Sequence, residues 1–333
     1  MQQYIIQDAH ALNEDYLPEQ MWHRVDQLQL MAQAIKPILQ DHESKNVLLF
    51  GPSGAGKTTS AKFFLAHLRE QSLTIKTVYV NCWHNYSRFN LLSALVRGLD
   101  MNIVSGRVSS NELLFRIQNS CKKQPCVFVL DEIDLLEDKN LLYRLGSTSA
   151  GLILITNDSR SLYRLDERVK SRLGPMERVH FPAYNYSELA DIIGVRAQKA
   201  LTPRSLNRTQ IRRIVASSGN NAHLAMESLR LAASQAEADR SSVVLNKHVD
   251  FAVEEAQRTV RTRSLGRLND HQRVLYEIVK EQKEINSGEL HKQYQEKMKE
   301  PLTERGVRNY LQKLVLYGFI KSKGEGRWRR YRC

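Results

Sequence analysis

Short apolar runs alternate with amphipathic stretches through the first half of the chain. "NVLLF" (46–50), "TVYVN" (77–81), "CVFVL" (126–130), "GLILIT" (151–156) and "ERVHF" (177–181) are each strand-sized. The first four lack polar alternation, the pattern of parallel strands covered on both faces. Helical patterns such as "TTSAKFFLAHLREQ" and "FNLLSALVRGLD" lie between them. Strand therefore alternates with helix, which predicts an α/β fold built on a parallel sheet. Pro182 closes this unit.

The period then changes. Leu189, Ile192, Ile193 and Ala197 recur at helical spacing, as do Ile211, Ile214 and Val215, then Leu224, Leu229 and Leu231. These positions predict a small all-helical domain. "RTVRTRSLGR" (258–267) carries charge and glycine without an apolar stripe and reads as a linker. Beyond it, "NDHQRVLYEIVKEQ", "SGELHKQYQEKM" and "TERGVRNYLQKLVLYGFI" are helical, and "KSKGEGRWRRYRC" is a basic hairpin. Three helices and a hairpin predict a winged helix-turn-helix. The expected domains are thus 1–182, 183–263 and 264–333.

Charge sharpens this division. The 333 residues carry a formal net charge of +13, which points to a polyanionic partner. From Arg258 to Cys333 there are 19 Lys and Arg against 9 Asp and Glu, so the excess is concentrated in the last quarter. Cys82, Cys121, Cys126 and Cys333 form no C-x-x-C pair and read as reduced thiols. The first ten residues show no secretory signal, and no apolar run is long enough to span a bilayer. The expectation is a cytoplasmic, nucleoid-associated protein without a membrane partner.

"GPSGAGKT" matches G-x-x-x-x-G-K-[ST] between a strand and a helix, the context that motif requires. Gly51, Pro52, Ser53, Gly54, Ala55 and Gly56 would turn backbone N–H groups onto phosphate oxygens, and the helix beginning at Lys57 would add its positive end. Lys57 would reach the β and γ phosphates, Thr58 would ligate Mg²⁺, and Thr59 follows in the same turn. The expected cofactors are ATP or ADP with Mg²⁺. "VFVLDEID" ends an apolar strand in two acids. Asp131 would orient the metal, and Glu132 would activate the attacking water as general base. Asn157, at the end of "LILITN", would hold the same water with its amide.

This set, together with "LDERVKSRL" (165–173), resembles the AAA+ ATPases. The resemblance puts Arg172 at an arginine-finger position acting across a subunit boundary, with Arg168 as a weaker candidate; a plain surface arginine is the alternative. "YLPEQMWHRVDQ" (16–27), "VNCWHNYSRFNLLSALVRGL" (80–99) and "FPAYNYSELADIIGVRAQKAL" (181–201) narrow the likeness to the archaeal origin-recognition initiators. That family implies an adenine-side role for Tyr16, Pro18, His23 and Arg24, and nucleotide contacts from Tyr184 and Arg196. It also implies binding to double-stranded origin DNA, recruitment of the minichromosome maintenance helicase, and assembly with itself or with paralogous initiators on DNA. One departure stands out. Where the family lid carries G-D-x-R, this chain reads "GNNAHLAMESLR" (219–230), with Ala222 at the arginine position. ATP would then be turned over slowly or held as a switch, with Arg196 or Arg230 compensating.

On the third C-terminal helix, Val307, Tyr310, Leu311 and Leu314 form one apolar face. Arg305, Arg308, Asn309 and Gln312 fall opposite, with Lys313 adjoining, as on a recognition helix entering a major groove. Gly306 would permit close backbone approach. Lys321, Lys323, Arg327, Arg329 and Arg330 would place cations along the wing, and Trp328 would pack beneath it or touch sugar. The function read from this is an ATP-dependent replication initiator. An ATP-switched transcription regulator and a mobile-element target selector are the alternatives.

Overall fold

The computed structural model describes residues 4–40, 45–102, 108–158, 165–266, 268–316, 319–324 and 328–333. The chain divides into two compact units, Met1–Gln257 and Arg258–Cys333.

In the first unit, β1 (Val47–Phe50), β2 (Lys76–Asn81), β3 (Cys126–Asp131), β4 (Gly151–Thr156) and β5 (Glu177–His180) pair in parallel in the order β2-β3-β4-β1-β5. The two faces of the sheet have separate cores. Leu48, Val78, Val80, Phe128, Leu130, Leu152 and Leu154 pack with residues of α3 (Arg88–Gly98) and α4 (Ser110–Lys123). Val47, Leu49, Val127, Val129, Ile153 and Ile155 pack with α1 (Val25–Ile35) and α2 (Lys57–Gln71). Burial on both sides is why β3 and β4 are apolar at consecutive positions. The edge strand β5 alternates. The short helices α5 (Asn140–Leu145) and α6 (Glu167–Leu173) complete the layer.

Four helices follow: α7 (Tyr186–Ala200), α8 (Arg208–Ser217), α9 (Ala222–Ala238) and α10 (Asn246–Gly266). Asn185 with Glu188, and Asn207 with Gln210, form capping boxes that start α7 and α8. The N-terminal segment shares this core: Ile5, Ala11, Leu12 and Tyr16 are buried against Leu189, Ile193, Leu201 and Leu229. Backbone bonds from Gln7 N to Ala200 O (2.8 Å) and Thr202 N to Ile5 O (2.8 Å) pin it there. The segment up to Tyr16 thus packs with the helical lid, although it was expected with the sheet. The expected linker is also helical. α10 runs without a break to Gly266, because no proline or glycine interrupts it earlier and Val249, Ala252 and Ala256 bury its first half.

In the second unit, α11 (Asp270–Gln282), α12 (Ser287–Lys297) and α13 (Glu304–Leu316) carry a small antiparallel sheet. Its strands are β6 (Glu284–Asn286), β7 (Lys321–Lys323) and β8 (Arg330–Arg332), in the order β6-β8-β7. This is a winged helix. Among the described residues no helix is long and apolar enough to cross a membrane. Cys82, Cys121 and Cys126 are buried free thiols, and Cys333 is exposed.

Candidate nucleotide and nucleic-acid sites

The loop between β1 and α2 can exist only with its glycines. A Cβ at Gly51 would lie 2.0 Å from Phe181 O, and one at Gly56 would lie 2.4 Å from the Tyr184 hydroxyl. Gly54 and Gly56 have φ of 76° and 86°, where other L-residues are strained. Lys57 opens α2 and is buried. Its Nζ donates to Gly51 O (2.8 Å), Pro52 O (2.7 Å) and Asn157 Oδ1 (2.9 Å). Burial pulls its pKa down to about 8, against Asp131, Glu132 and Asp134, which act in the opposite sense. Ser53 is exposed on the loop, and Thr59 is half-buried in the first turn of α2.

Asp131 ends β3 and is buried. Its Oδ2 accepts hydrogen bonds from Thr58 Oγ1 (2.6 Å) and Tyr79 OH (2.9 Å), and its Oδ1 accepts from Glu132 N (2.8 Å). Burial pushes the Asp131 pKa up, while these donors hold it down. Glu132 adopts left-handed geometry (φ 56°, ψ 47°), a strained turn for a non-glycine residue. Thr58 on α2 therefore meets Asp131 at the end of β3, and Lys57 meets Asn157 directly after β4. One carboxylate and one hydroxyl are hard oxygen donors but an incomplete cage. That suits Mg²⁺, which keeps waters and takes phosphate oxygens as further ligands.

The residues expected beside the base divide. Arg24 is buried, and it donates to Ala55 O (3.0 Å), His23 O (2.9 Å) and Pro182 O (2.8 Å). Its guanidinium lies 3.7 Å from the centre of the Tyr184 ring. It braces the phosphate loop from within the protein. His23 pairs with Asp191 at 3.1 Å. Arg196 donates to Ala11 O (2.9 Å) and stacks on Tyr16 at 4.2 Å, so it ties the N-terminal segment to α7. Arg230 makes a bidentate pair with Glu227 (2.8 and 2.9 Å). Ala222 begins α9 and donates its backbone N–H to Gly54 O at 3.3 Å, while His223 pairs with Glu14 at 3.2 Å. Arg172 is exposed, with Nε donating to Ser147 Oγ at 2.7 Å, and Arg168 is also exposed.

Three residues outside the sequence-predicted set also shape this site. Tyr79 holds Asp131 from the neighbouring strand. Asn221 caps α9 and touches Gly54. Asp134 accepts from Thr156 Oγ1 at 2.6 Å. The third acid of "DEID" and the asparagine ahead of α9 were visible signals. Tyr79 had none, since it is one ordinary position of β2.

In the winged helix, Val307, Leu311 and Leu314 are buried, and Arg305, Arg308, Asn309 and Gln312 are exposed on α13. Arg308 lies 3.2 Å from Glu304. Gly306 has a packing reason, since a Cβ there would come within 3.1 Å of Leu302 Cβ. Lys321 and Lys323 on β7 are exposed, Arg329 is half-buried, and exposed Arg330 pairs with Glu284 at 3.0 Å. Trp328 is 86% exposed, so it is not buried beneath the described part of the wing. The Lys313 side chain and Arg327 lie outside the described residues.

Residues 40–159 match the AAA domain family, and residues 190–254 match the Cdc6 AAA+ ATPase-type lid domain. The chain is 32% identical over 332 residues to ORC1-type DNA replication protein 9 of Halobacterium salinarum, covering 98% of this chain and 94% of that protein. ORC1-type DNA replication protein 1 of the same organism is 32% identical over 308 residues, covering 92% of this chain and 100% of its own. The Aeropyrum pernix ORC1 protein in complex with DNA superposes with a TM-score of 0.80 at 27% identity, covering 98% of this chain and 93% of its own. Cdc6p from Pyrobaculum aerophilum shares the fold, with a TM-score of 0.67 at 18% identity, covering 98% and 94%.

Proposed function

The chain belongs to the ORC1-type DNA replication proteins, and from that membership we propose that it is an ATP-dependent initiator that binds duplex origin DNA and helps recruit the minichromosome maintenance helicase. The observation that carries the DNA reading is the face of α13. Arg305, Arg308, Asn309 and Gln312 are exposed beside a basic hairpin, opposite a buried Val307–Leu311–Leu314 seam. Arginine and asparagine read guanine and adenine edges, while wing cations neutralise phosphates.

AAA+ membership supports ATPase activity, and the site suggests how its residues divide the work. Loop amides and Lys57 bind the triphosphate. Thr58 and Asp131 would hold Mg²⁺, which neutralises charge on the β and γ phosphates. Glu132 takes the proton of the attacking water, whose oxygen bonds to the γ-phosphorus as the bond to the β-bridging oxygen breaks. Asn157 orients that water. Arg172, exposed at the end of α6, is assigned as the finger offered to a neighbouring copy on DNA. Turnover is slow. Ala222 brings no charge, Arg196 is engaged by Ala11 and Tyr16, and Arg230 is engaged by Glu227. The bound nucleotide therefore works chiefly as a switch.

Mapping the DNA bound by the protein in cells tests the initiator reading. Sites clustered at replication start points support it. Sites scattered over promoters overturn it in favour of a transcription regulator.

A further inference from the structure

The β3–β4 ladder stops short of the residues that matter for turnover. Its register runs from Val127↔Gly151 to Leu130↔Leu154. Beyond that point β3 pairs outward to β2 (Asp131↔Asn81), and β4 pairs outward to β1 (Thr156↔Phe50). The β3–β4 ladder thus ends before the positions of Glu132 and Asn157. Asp134 spans the gap. It lies in the 3-10 turn Ile133–Leu135 after β3, and its Oδ2 accepts from Thr156 Oγ1 at 2.6 Å and Asn157 N at 3.4 Å. Thr156 is 1% exposed, and its hydroxyl also accepts from Asp158 N at 3.0 Å. Asn157 Oδ1 in turn takes the Lys57 ammonium at 2.9 Å.

A carboxylate in this place costs stability. Burial pushes the Asp134 pKa up, and the Thr156 hydroxyl and the Asn157 amide only partly offset it. An apolar side chain would fill the volume more cheaply, but it would not fasten one strand end to the other.

We propose that Asp134 is a positioning residue for ATP hydrolysis: through Thr156 and the Asn157 backbone it fixes the separation between Glu132 and Asn157 without touching nucleotide. The inference rests on the assignment of Glu132 and Asn157 above. It requires an acceptor at position 134 and no negative charge there. Asp134→Asn keeps an acceptor oxygen for Thr156, so it should restore what Asp134→Ala loses.

The experiment is single-turnover hydrolysis of ATP by the full chain in excess, with ATP affinity measured by calorimetry on each variant. Asp134→Ala should slow hydrolysis by about 10- to 100-fold, the scale of a misplaced catalytic group, and leave affinity within about 2-fold. Thr156→Val should reproduce that loss, the double variant should be no slower than either single, and Asp134→Asn should recover most of the rate. A wild-type rate in Asp134→Ala overturns the proposal, and so does an equal fall in affinity and rate. Should Asp134→Ala fail to fold, Thr156→Val carries the test, and a wild-type rate there is the overturning result. Asn157→Ala separates the two levels. If it leaves the rate unchanged, the assignment of Asn157 fails; if it slows hydrolysis while Asp134→Ala and Thr156→Val do not, only this proposal fails.

Discussion

Asn221 Oδ1 occupies the space that a side chain on Gly54 would need: a Cβ there would lie 2.2 Å from it. The phosphate loop and the first residues of α9 are thus in direct contact, joined also by the Ala222 N to Gly54 O bond. Asn221 cannot simply swing away, because the same oxygen caps α9 by accepting from His223 N at 3.0 Å. Gly54→Ala is therefore expected to cost about 1–2 kcal/mol from its positive φ alone, and more from the displaced cap. Urea unfolding should show a lower midpoint, and calorimetry a weaker ATP affinity. Unchanged affinity would mean that the lid contact plays no part in the cradle.

Lys57 predicts a pH signature. With its pKa pulled down to about 8 by burial, the free ammonium is about three-quarters deprotonated at pH 8.5. A triphosphate beside it favours the charged form and raises that pKa, so binding must take up protons. Calorimetry in two buffers of different ionisation enthalpy should show uptake that grows from pH 7.5 to pH 9, and Lys57→Met should abolish it. Equal heats in both buffers at pH 8.5 would show that Lys57 does not meet phosphate.

Arg24 predicts a stability effect that its charge alone does not explain. Its guanidinium satisfies carbonyls of Ala55, His23 and Pro182 at once while stacking on Tyr184. Lysine keeps the charge but lacks the planar fork. Arg24→Lys should then leave buried carbonyls short of donors and destabilise the first unit by about 2–4 kcal/mol. Thermal unfolding checks this, and a shift no larger than that of an exposed control such as Arg168→Lys would count against the brace.

Much of this was legible because pattern and motif act locally. β3 and β4 were readable from consecutive apolar residues, since burial on both faces leaves no polar position to hide them. The phosphate loop was readable because its glycines answer to backbone geometry. Contacts far apart in sequence were not. Nothing in "MWHRVD" says that Arg24 reaches Ala55 and Pro182, and nothing near Ile5 says that it joins the core of α7 and α9. β6 has three residues, Glu284–Asn286, too few for their alternation to stand out in the sequence, and its strand partner β8 lies more than forty residues away. Charge density suggests a break near the end of α10, but arginine and threonine do not stop a helix, and it continues to Gly266. The capping asparagines Asn185, Asn207 and Asn269, each followed three residues later by Glu or Gln, were in plain view and would have fixed three helix starts.

The winged helix separates two kinds of contact that salt can resolve. If Lys321, Lys323 and Arg330 meet phosphates, log affinity should fall with log salt concentration by roughly 0.9 per contact, and removing one cation should lower that slope by about one unit on every duplex. Arg330 is paired with Glu284, so Arg330→Ala also frees a carboxylate and should weaken binding more than Lys323→Ala. Arg308→Ala and Asn309→Ala remove base-reading groups, and each should cost about 1–3 kcal/mol on the preferred sequence and little on scrambled DNA. Trp328 is uncharged and 86% exposed. Trp328→Ala should reduce affinity for all duplexes while leaving the salt slope unchanged, since no counterion is released through it. Fluorescence anisotropy of the full chain on specific and scrambled duplexes, at several salt concentrations, distinguishes these patterns. Identical losses on both duplexes for Arg308→Ala and Asn309→Ala would remove α13 from the reading of bases and leave it only phosphate contact.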